Sequence, residues 1–156
     1  MGMSTNGVLV YGYNLSNGED DWAIQEAVEY GDWSPEWASD PEDPDVVEDA
    51  DRHLLASVGF TEDDWSADGY FDRKKAAKAQ LGVELESYCS SEYPMYALSA
   101  HTITCYRGDH QTVDFAALES LRVEQDWDAK LQHALTVLGI TPTQEKPCWL
   151  LLSYMG

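Results

Sequence analysis

The sequence is short of basic residues. Nine Lys and Arg stand against 29 Asp and Glu in 156 residues, which gives a formal net charge of −20. Proteins that bind nucleic acids or anionic membrane surfaces do so largely through Lys and Arg. The shortage therefore argues against direct binding of this chain to nucleic acid or to an anionic membrane.

Cysteine is also scarce, and long apolar runs are lacking. The three cysteines, Cys89, Cys105 and Cys148, are widely spaced and form no CxxC motif. An odd number of scattered cysteines, with no basic and apolar leader at the N-terminus, is typical of a reduced intracellular chain. No apolar stretch approaches the roughly 20 residues that a membrane-spanning helix needs. We therefore expect unpaired thiols, a cytoplasmic location and no membrane span.

Glycine-rich phosphate-binding motifs are missing as well. The loop around Gly18 contains neither GxGxxG nor GK[ST], and the predicted helix that follows begins with Glu19, Asp20 and Asp21. These carboxylates would repel the phosphate that a helix N-terminus otherwise attracts. We expect no nucleotide and no other cofactor.

Two sequence patterns suggest a metal site, and both fail on chemical grounds. Residues 64–75 resemble an EF-hand calcium loop, with oxygen-bearing side chains at positions 1, 3, 5 and 9 and Gly69 at position 6, but Lys75 replaces the bidentate Glu at position 12. His101 and Cys105 would be about 13 Å apart on one strand, too far for ligands that lie about 2 Å from a single zinc ion. We expect no metal, and we interpret residues 64–75 as a turn that begins a helix.

The apolar pattern predicts one α+β domain over residues 1–156. In the tail, both registers of residues 148–155 are apolar, which predicts a central strand covered on both faces and next to residues 8–13. The predicted strands are residues 8–13, 83–89, 95–106 and 148–155, and the predicted helices are residues 19–30, 45–58, 71–81, 115–121 and 126–138. We expect a four- to five-stranded mixed or antiparallel sheet with the C-terminal strand central and the helices packed on it.

Acidic residues are concentrated in one segment, residues 19–64. It contains 17 Asp and Glu against one base, Arg52, and so carries −16 of the net −20. Salt adaptation usually spreads acids evenly, whereas clustered acids create a field that can attract a partner. Trp33 and Trp37 lie inside this segment, and indoles in an acidic loop either fold back on the domain or await a partner. Folding back is the favoured interpretation.

The favoured functional hypothesis is an acidic interaction protein that docks a basic, nucleic-acid-binding protein partner. A narrower form is DNA mimicry by a phage or mobile-element inhibitor, because helix carboxylates at a rise of about 1.5 Å per residue approximate one duplex charge per ~1.7 Å. The partner-binding residues under this hypothesis are two indoles and six carboxylates: Trp33, Trp37, Asp40, Glu42, Asp43, Asp45, Glu48 and Asp49.

Two alternatives remain open. The first is that the acids serve only solubility, an interpretation favoured if the basic cluster on the third long helix neutralises them; this cluster comprises Arg73, Lys74, Lys75 and Lys78. The second is an enzyme with an unrecognised site in a cleft under Trp33 and Trp37, although the sequence identifies no catalytic residue.

Overall fold

The computed structural model describes residues 5–18, 21–30, 33–39 and 45–156. Within them, the strands are β1 (Thr5–Asn14), β2 (Glu84–Ser90), β3 (Pro94–Cys105) and β4 (Cys148–Met155). The helices are α1 (Gln25–Tyr30), α2 (Val46–Ser57), α3 (Tyr70–Leu81), α4 (Phe115–Glu124) and α5 (Trp127–Leu138). The predicted α+β class with a four-stranded mixed sheet is therefore confirmed.

The sheet closes on itself in the order β1-β3-β2-β4. β1 pairs antiparallel with both β3 and β4, and β2 and β3 form the expected antiparallel hairpin. A short parallel contact, Cys89 with Tyr154 and Ser90 with Met155, joins β2 to β4 and completes the barrel. The C-terminal strand therefore lies between β1 and β2, and its predicted pairing with β1 is confirmed.

The two faces of β4 are covered unequally, so the expectation of a tail strand buried on both faces is wrong. Leu150 and Leu152 pack inside the closed sheet against Val8 and Val10. On the outer face, Leu151 is 82% exposed. The reason is the curvature of the sheet. The closed sheet buries the side chains of one register in its interior, whereas the other register faces outward and is covered by helices only near Trp149.

A larger core lies between the outer face of the sheet and the helices. α5 contributes an apolar stripe at helical spacing, and all of its members are buried: Trp127, Leu131, Ala134, Leu135 and Leu138. α5 packs on β3, and α2 packs on α5. The C-terminus of α5 and the middle of α2 consequently lie side by side, which positions the site described below.

The first predicted helix is shorter than expected. Residues 21–24 form no helix, because the backbone at Trp22 bridges to Ser16 and that at Ile24 bridges to Pro142. The amide of Ala23 donates to the carbonyl of Leu15 at 2.8 Å, and Ile24 is fully buried. Long-range pairing has replaced local helix formation here, while Glu19 and Asp20 lie outside the described residues.

The stretch that resembles a calcium loop is a turn. The Oδ1 atom of Asp64 accepts hydrogen bonds from the amide and the hydroxyl of Ser66, and Gly69, in the left-handed conformation, precedes α3. Arg73 donates to the carbonyl of Asp68 at 2.8 Å. A positively charged guanidinium is therefore bonded to the backbone of this turn, where a calcium loop would gather negatively charged ligands. In the described part of the chain, no helix is long and apolar enough to cross a bilayer.

Candidate partner-binding groove

Trp33 and Trp37 lie between α1 and α2 and fold back on the molecule, as favoured from the sequence. Trp37 donates from Nε1 to the carbonyl of Leu138, at the end of α5, at 3.0 Å. Its indole also stacks on the imidazole of His53 of α2, with ring centroids 5.9 Å apart and planes at 16°. Both indoles nevertheless stay only half-buried.

Five rings form a continuous series, called here the aromatic row: Tyr96, Trp22, Trp33, Trp37 and His53. Successive centroids are separated by 6.0, 5.1, 5.6 and 5.9 Å. These are normal distances for attractive aromatic pairs. Trp22 joins the row because residues 21–24 are extended and bridge to Ser16; sequence reasoning missed it by placing it in a helix.

Beside the aromatic row is an open groove of about 710 Å³, called here the tryptophan groove. Its walls come from residues 33–37, from His53 of α2 and from the C-terminus of α5, with Glu26 of α1 at one side. The size falls within the range of ligand pockets, roughly 300–1,000 Å³. Carboxylates and aromatic rings therefore share one concave surface.

The tryptophan groove is electrostatically negative. Glu36 is exposed, and Glu26 is half-buried with Oε2 accepting from the amide of Thr141 at 2.9 Å. Among the described residues that line the groove there is no Lys, Arg or Cys. The end of α5 also faces it, and a helix C-terminus carries partial negative charge. The groove thus favours a cation over an anion.

His53 is fixed in orientation by the end of α5. Its Nε2 donates to the carbonyl of Val137 at 3.1 Å, because a carbonyl can only accept. When the imidazole is neutral, this bond places the proton on Nε2 and leaves Nδ1 as an acceptor. His53, Glu26 and Glu36 all line the groove, and each can accept a hydrogen bond from a positively charged donor.

Asp49 does not belong to the outer, charged face of α2, where the sequence pattern placed it. The residue is 4% exposed, and its Oδ2 accepts from both the amide and the hydroxyl of Ser39 at 2.9 Å. Arg52 donates to its other oxygen at 3.2 Å. The bonds from Ser39 lower the pKa of Asp49, and Arg52 lowers it further. Asp49 therefore attaches residues 33–39 to α2 and is not an accessible docking carboxylate.

The other predicted carboxylates lie in different surroundings. Asp45 is exposed and caps α2, accepting from the amide of Glu48 at 3.1 Å. Glu48 is exposed and forms an ion pair with Arg52 at 3.3 Å. Asp40, Glu42 and Asp43 lie outside the described residues. The structure thus brings Trp33 and Trp37 together and leaves Asp45 on the surface.

Among the described residues, the basic helix α3 lies against acids toward the C-terminal end of the acidic segment. Arg73 donates two hydrogen bonds to Glu62, at 2.7 and 2.6 Å, and so forms a bidentate ion pair. Lys74 and Lys78 line a second groove, which also contains Asp51. None of these basic groups lines the tryptophan groove. The negative charge around the tryptophans is therefore not offset by α3.

Residues with nucleophilic or metal-binding potential are dispersed elsewhere. His101 stacks on Trp127 at 4.8 Å, and its burial lowers the pKa of the imidazole. Cys89, Cys105 and Cys148 are unpaired and half-buried. Within the described residues, no three His, Cys, Asp or Glu side chains are grouped to hold a metal ion.

Comparison with known proteins adds no functional assignment, because no family model, curated protein or solved structure matches this chain.

Proposed function

We propose that this chain is an acidic interaction protein that docks a basic protein partner of the nucleic-acid-binding kind through the tryptophan groove. The observation that carries the proposal is the combination of half-buried Trp33 and Trp37 with Glu26 and Glu36 in a groove whose described lining has no Lys or Arg. An interface needs both parts, because desolvated aromatic rings anchor binding and charges at the rim govern the association rate.

Docking at the groove has more support than DNA mimicry along α2. Mimicry requires a row of accessible carboxylates at helical spacing. Of the three invoked on α2, Asp49 is buried and Glu48 is paired with Arg52. Asp45 alone stays exposed without an ion-pair partner among the described residues. We therefore place the contact at the indoles and assign the surrounding acids to steering.

The first experiment neutralises four acids of the acidic segment that were assigned to partner binding from the sequence. A variant in which Asp40, Glu42, Asp43 and Asp45 become Asn or Gln keeps a good cap on α2, because Asn caps helices as well as Asp does. A matched control removes the same charge at four exposed acids outside the segment: Glu92, Asp109, Glu124 and Glu145. Both proteins are used to capture basic partners from the native cell, and association rates are measured at several salt concentrations.

We expect the first variant to associate more slowly with its partner, with a weaker salt dependence, while the control behaves like the wild type. Steering of this kind is screened beyond about 8 Å at physiological ionic strength. Equal behaviour of both variants would contradict the proposal and would favour acids that serve only solubility. Duplex DNA is added as a competitor for the captured partner. If DNA displaces this chain, the two bind the same site on the partner.

A further inference from the structure

We infer that the tryptophan groove receives an arginine side chain of the partner. This inference rests on the proposed docking function and specifies its chemistry. The guanidinium would lie against the indoles of Trp33 and Trp37, and its N–H groups would donate to the carboxylates of Glu26 and Glu36. Trp33, Trp37, Glu26 and Glu36 all line the groove.

The aromatic surface is the first reason for a cation. A cation is attracted to the face of an aromatic ring, most strongly to Trp. The indoles of Trp33 and Trp37, in edge-to-face contact at 5.6 Å, present more than one ring orientation to the groove. A planar group can rest on such a surface, whereas a strongly hydrated ammonium gains less from it. This favours arginine over lysine.

Unused acceptor capacity is the second reason. Glu26 uses Oε2 for the amide of Thr141, and Glu36 is exposed with no ion-pair partner in the described part of the chain. A guanidinium has five N–H donors in a fixed fork, which suits two carboxylates better than the single charge of an ammonium does.

The end of α5 is the third and independent reason. Val137, Leu138 and Gly139 line the groove, so the negative end of a 12-residue helix faces it. The last turn of α5 contains no basic residue, although cations are favoured at that position. An arginine from a partner would add a positive charge beside the carbonyls of Val137 and Leu138, which already accept from His53 and Trp37. A second copy of this chain, with a net charge of −20, would instead be repelled.

The test uses three pentapeptides with blocked, uncharged ends that differ only in the central residue, which is Arg, Lys or citrulline between pairs of glycines. Citrulline has the shape of arginine without its charge. Binding is followed by NMR on the full chain, through the indole N–H signals of the tryptophans. We expect the arginine peptide to shift the signals of Trp33 and Trp37. The lysine peptide should bind about threefold more weakly, and the citrulline peptide should not bind.

Variants with matched controls locate the binding. Glu36→Gln is expected to lower the affinity for the arginine peptide about threefold, which is the contribution of an exposed ion pair. Glu145→Gln, at an exposed acid outside the groove, should leave this affinity unchanged. Trp33→Leu should abolish binding, and Trp65→Leu, at an indole that is 71% exposed, should not. Because Glu36 is exposed, its substitution tests the groove even if Trp33→Leu loses stability.

Two results separate the inference from the docking proposal. Equal binding of the arginine and lysine peptides, unaffected by Glu36→Gln, would overturn the arginine site while leaving charge-steered docking intact. Selective arginine binding at Trp33 and Trp37, together with full association of the charge-neutralised variant with its partner, would support the site and overturn docking through the acidic segment.

Discussion

Gly12 lies at an irregularity in the pairing of β1 with β3. The pairing register shifts between Tyr11 and Gly12, so that Ala100 is left as an extra residue in β3. A Cβ atom at position 12 would be 1.8 Å from the carbonyl oxygen of Leu98. This oxygen belongs to the backbone and cannot rotate away. Bulges of this type bend strands, which a closed four-stranded sheet requires.

Gly12→Ala should therefore destabilise the protein strongly. We expect a loss of about 2 to 3 kcal/mol in the free energy of unfolding, typical of overpacking against a rigid neighbour. Gly7→Ala on the same strand is the matched control, because the nearest atom would be 4.0 Å away. Denaturant unfolding of both variants measures the difference, and equal midpoints would contradict the close approach.

Tyr11 connects the sheet to the helices through its hydroxyl group. The hydroxyl donates to Oδ1 of Asp128 at 2.7 Å, and Arg122 donates to the other oxygen of the same carboxylate at 2.7 Å. Burial, followed by the hydrogen bond and charge of Asp128, raises the pKa of Tyr11 to about 12, with Arg122 acting in the opposite direction. The folded state therefore holds this proton more tightly than the unfolded chain does.

Stability should consequently fall in alkaline solution. Between pH 10 and 12 the unfolded chain releases the Tyr11 proton while the folded chain keeps it, so rising pH favours unfolding. The contribution, about 2 to 3 kcal/mol, is present below pH 10 and is lost toward pH 12. Tyr11→Phe should reduce the slope of unfolding free energy against pH in this window. Tyr93→Phe, at an exposed tyrosine, should leave the slope unchanged.

At the scale of the elements, the segment of residues 33–39 is held in place by α2 and α5, because it forms no helix and no strand of its own. Trp37 bonds to the end of α5, and Ser39 bonds twice to Asp49 of α2. The shape of the tryptophan groove therefore depends on the position of α2 relative to α5.

Asp49→Ala should loosen this segment without unfolding α2. We expect faster hydrogen exchange at the amide of Ser39, because its acceptor is removed, and weaker binding of the arginine peptide. Glu48→Ala is the control, because that exposed carboxylate has no bond to residues 33–39 among those described. Unchanged exchange at Ser39 in Asp49→Ala would show that the indoles alone hold the segment.

At the scale of the whole molecule, β4 closes the sheet. It pairs with β1 over its whole length and with β2 at its end. Its inward residues cover Val8, Val10 and Ala97. Loss of this strand would expose that interior and leave β1 and β2 with unpaired edges.

Removal of residues 150–156 should therefore abolish cooperative unfolding, because it opens the sheet and its core together. Thermal unfolding followed by circular dichroism provides the measurement. Leu151→Ser is the control: this side chain is 82% exposed, and its replacement should change the free energy of unfolding by less than about 0.5 kcal/mol. A sharp transition in the truncated chain would show that β4 is peripheral.

Local patterns in the sequence predicted much of the fold and the chemical character of the site. The helix predicted over residues 126–138 is present as α5, because the periodicity of its apolar stripe is a local signal. The apolar tail predicted a strand next to β1, and the charge count predicted an acidic segment that contains Trp33 and Trp37.

Tertiary structure decided the features that depend on distant parts of the chain. Closure of the sheet requires β2 to meet β4. Trp22 joins the aromatic row from an extended segment, in which its own backbone bridges to Ser16 and that of Ile24 bridges to the distant Pro142. Asp49 looks like a surface acid in its helix, but Ser39 gives it hydrogen bonds that make burial favourable. Composition thus determined that the segment is negative, whereas packing determined which of its described carboxylates and indoles are accessible at the surface.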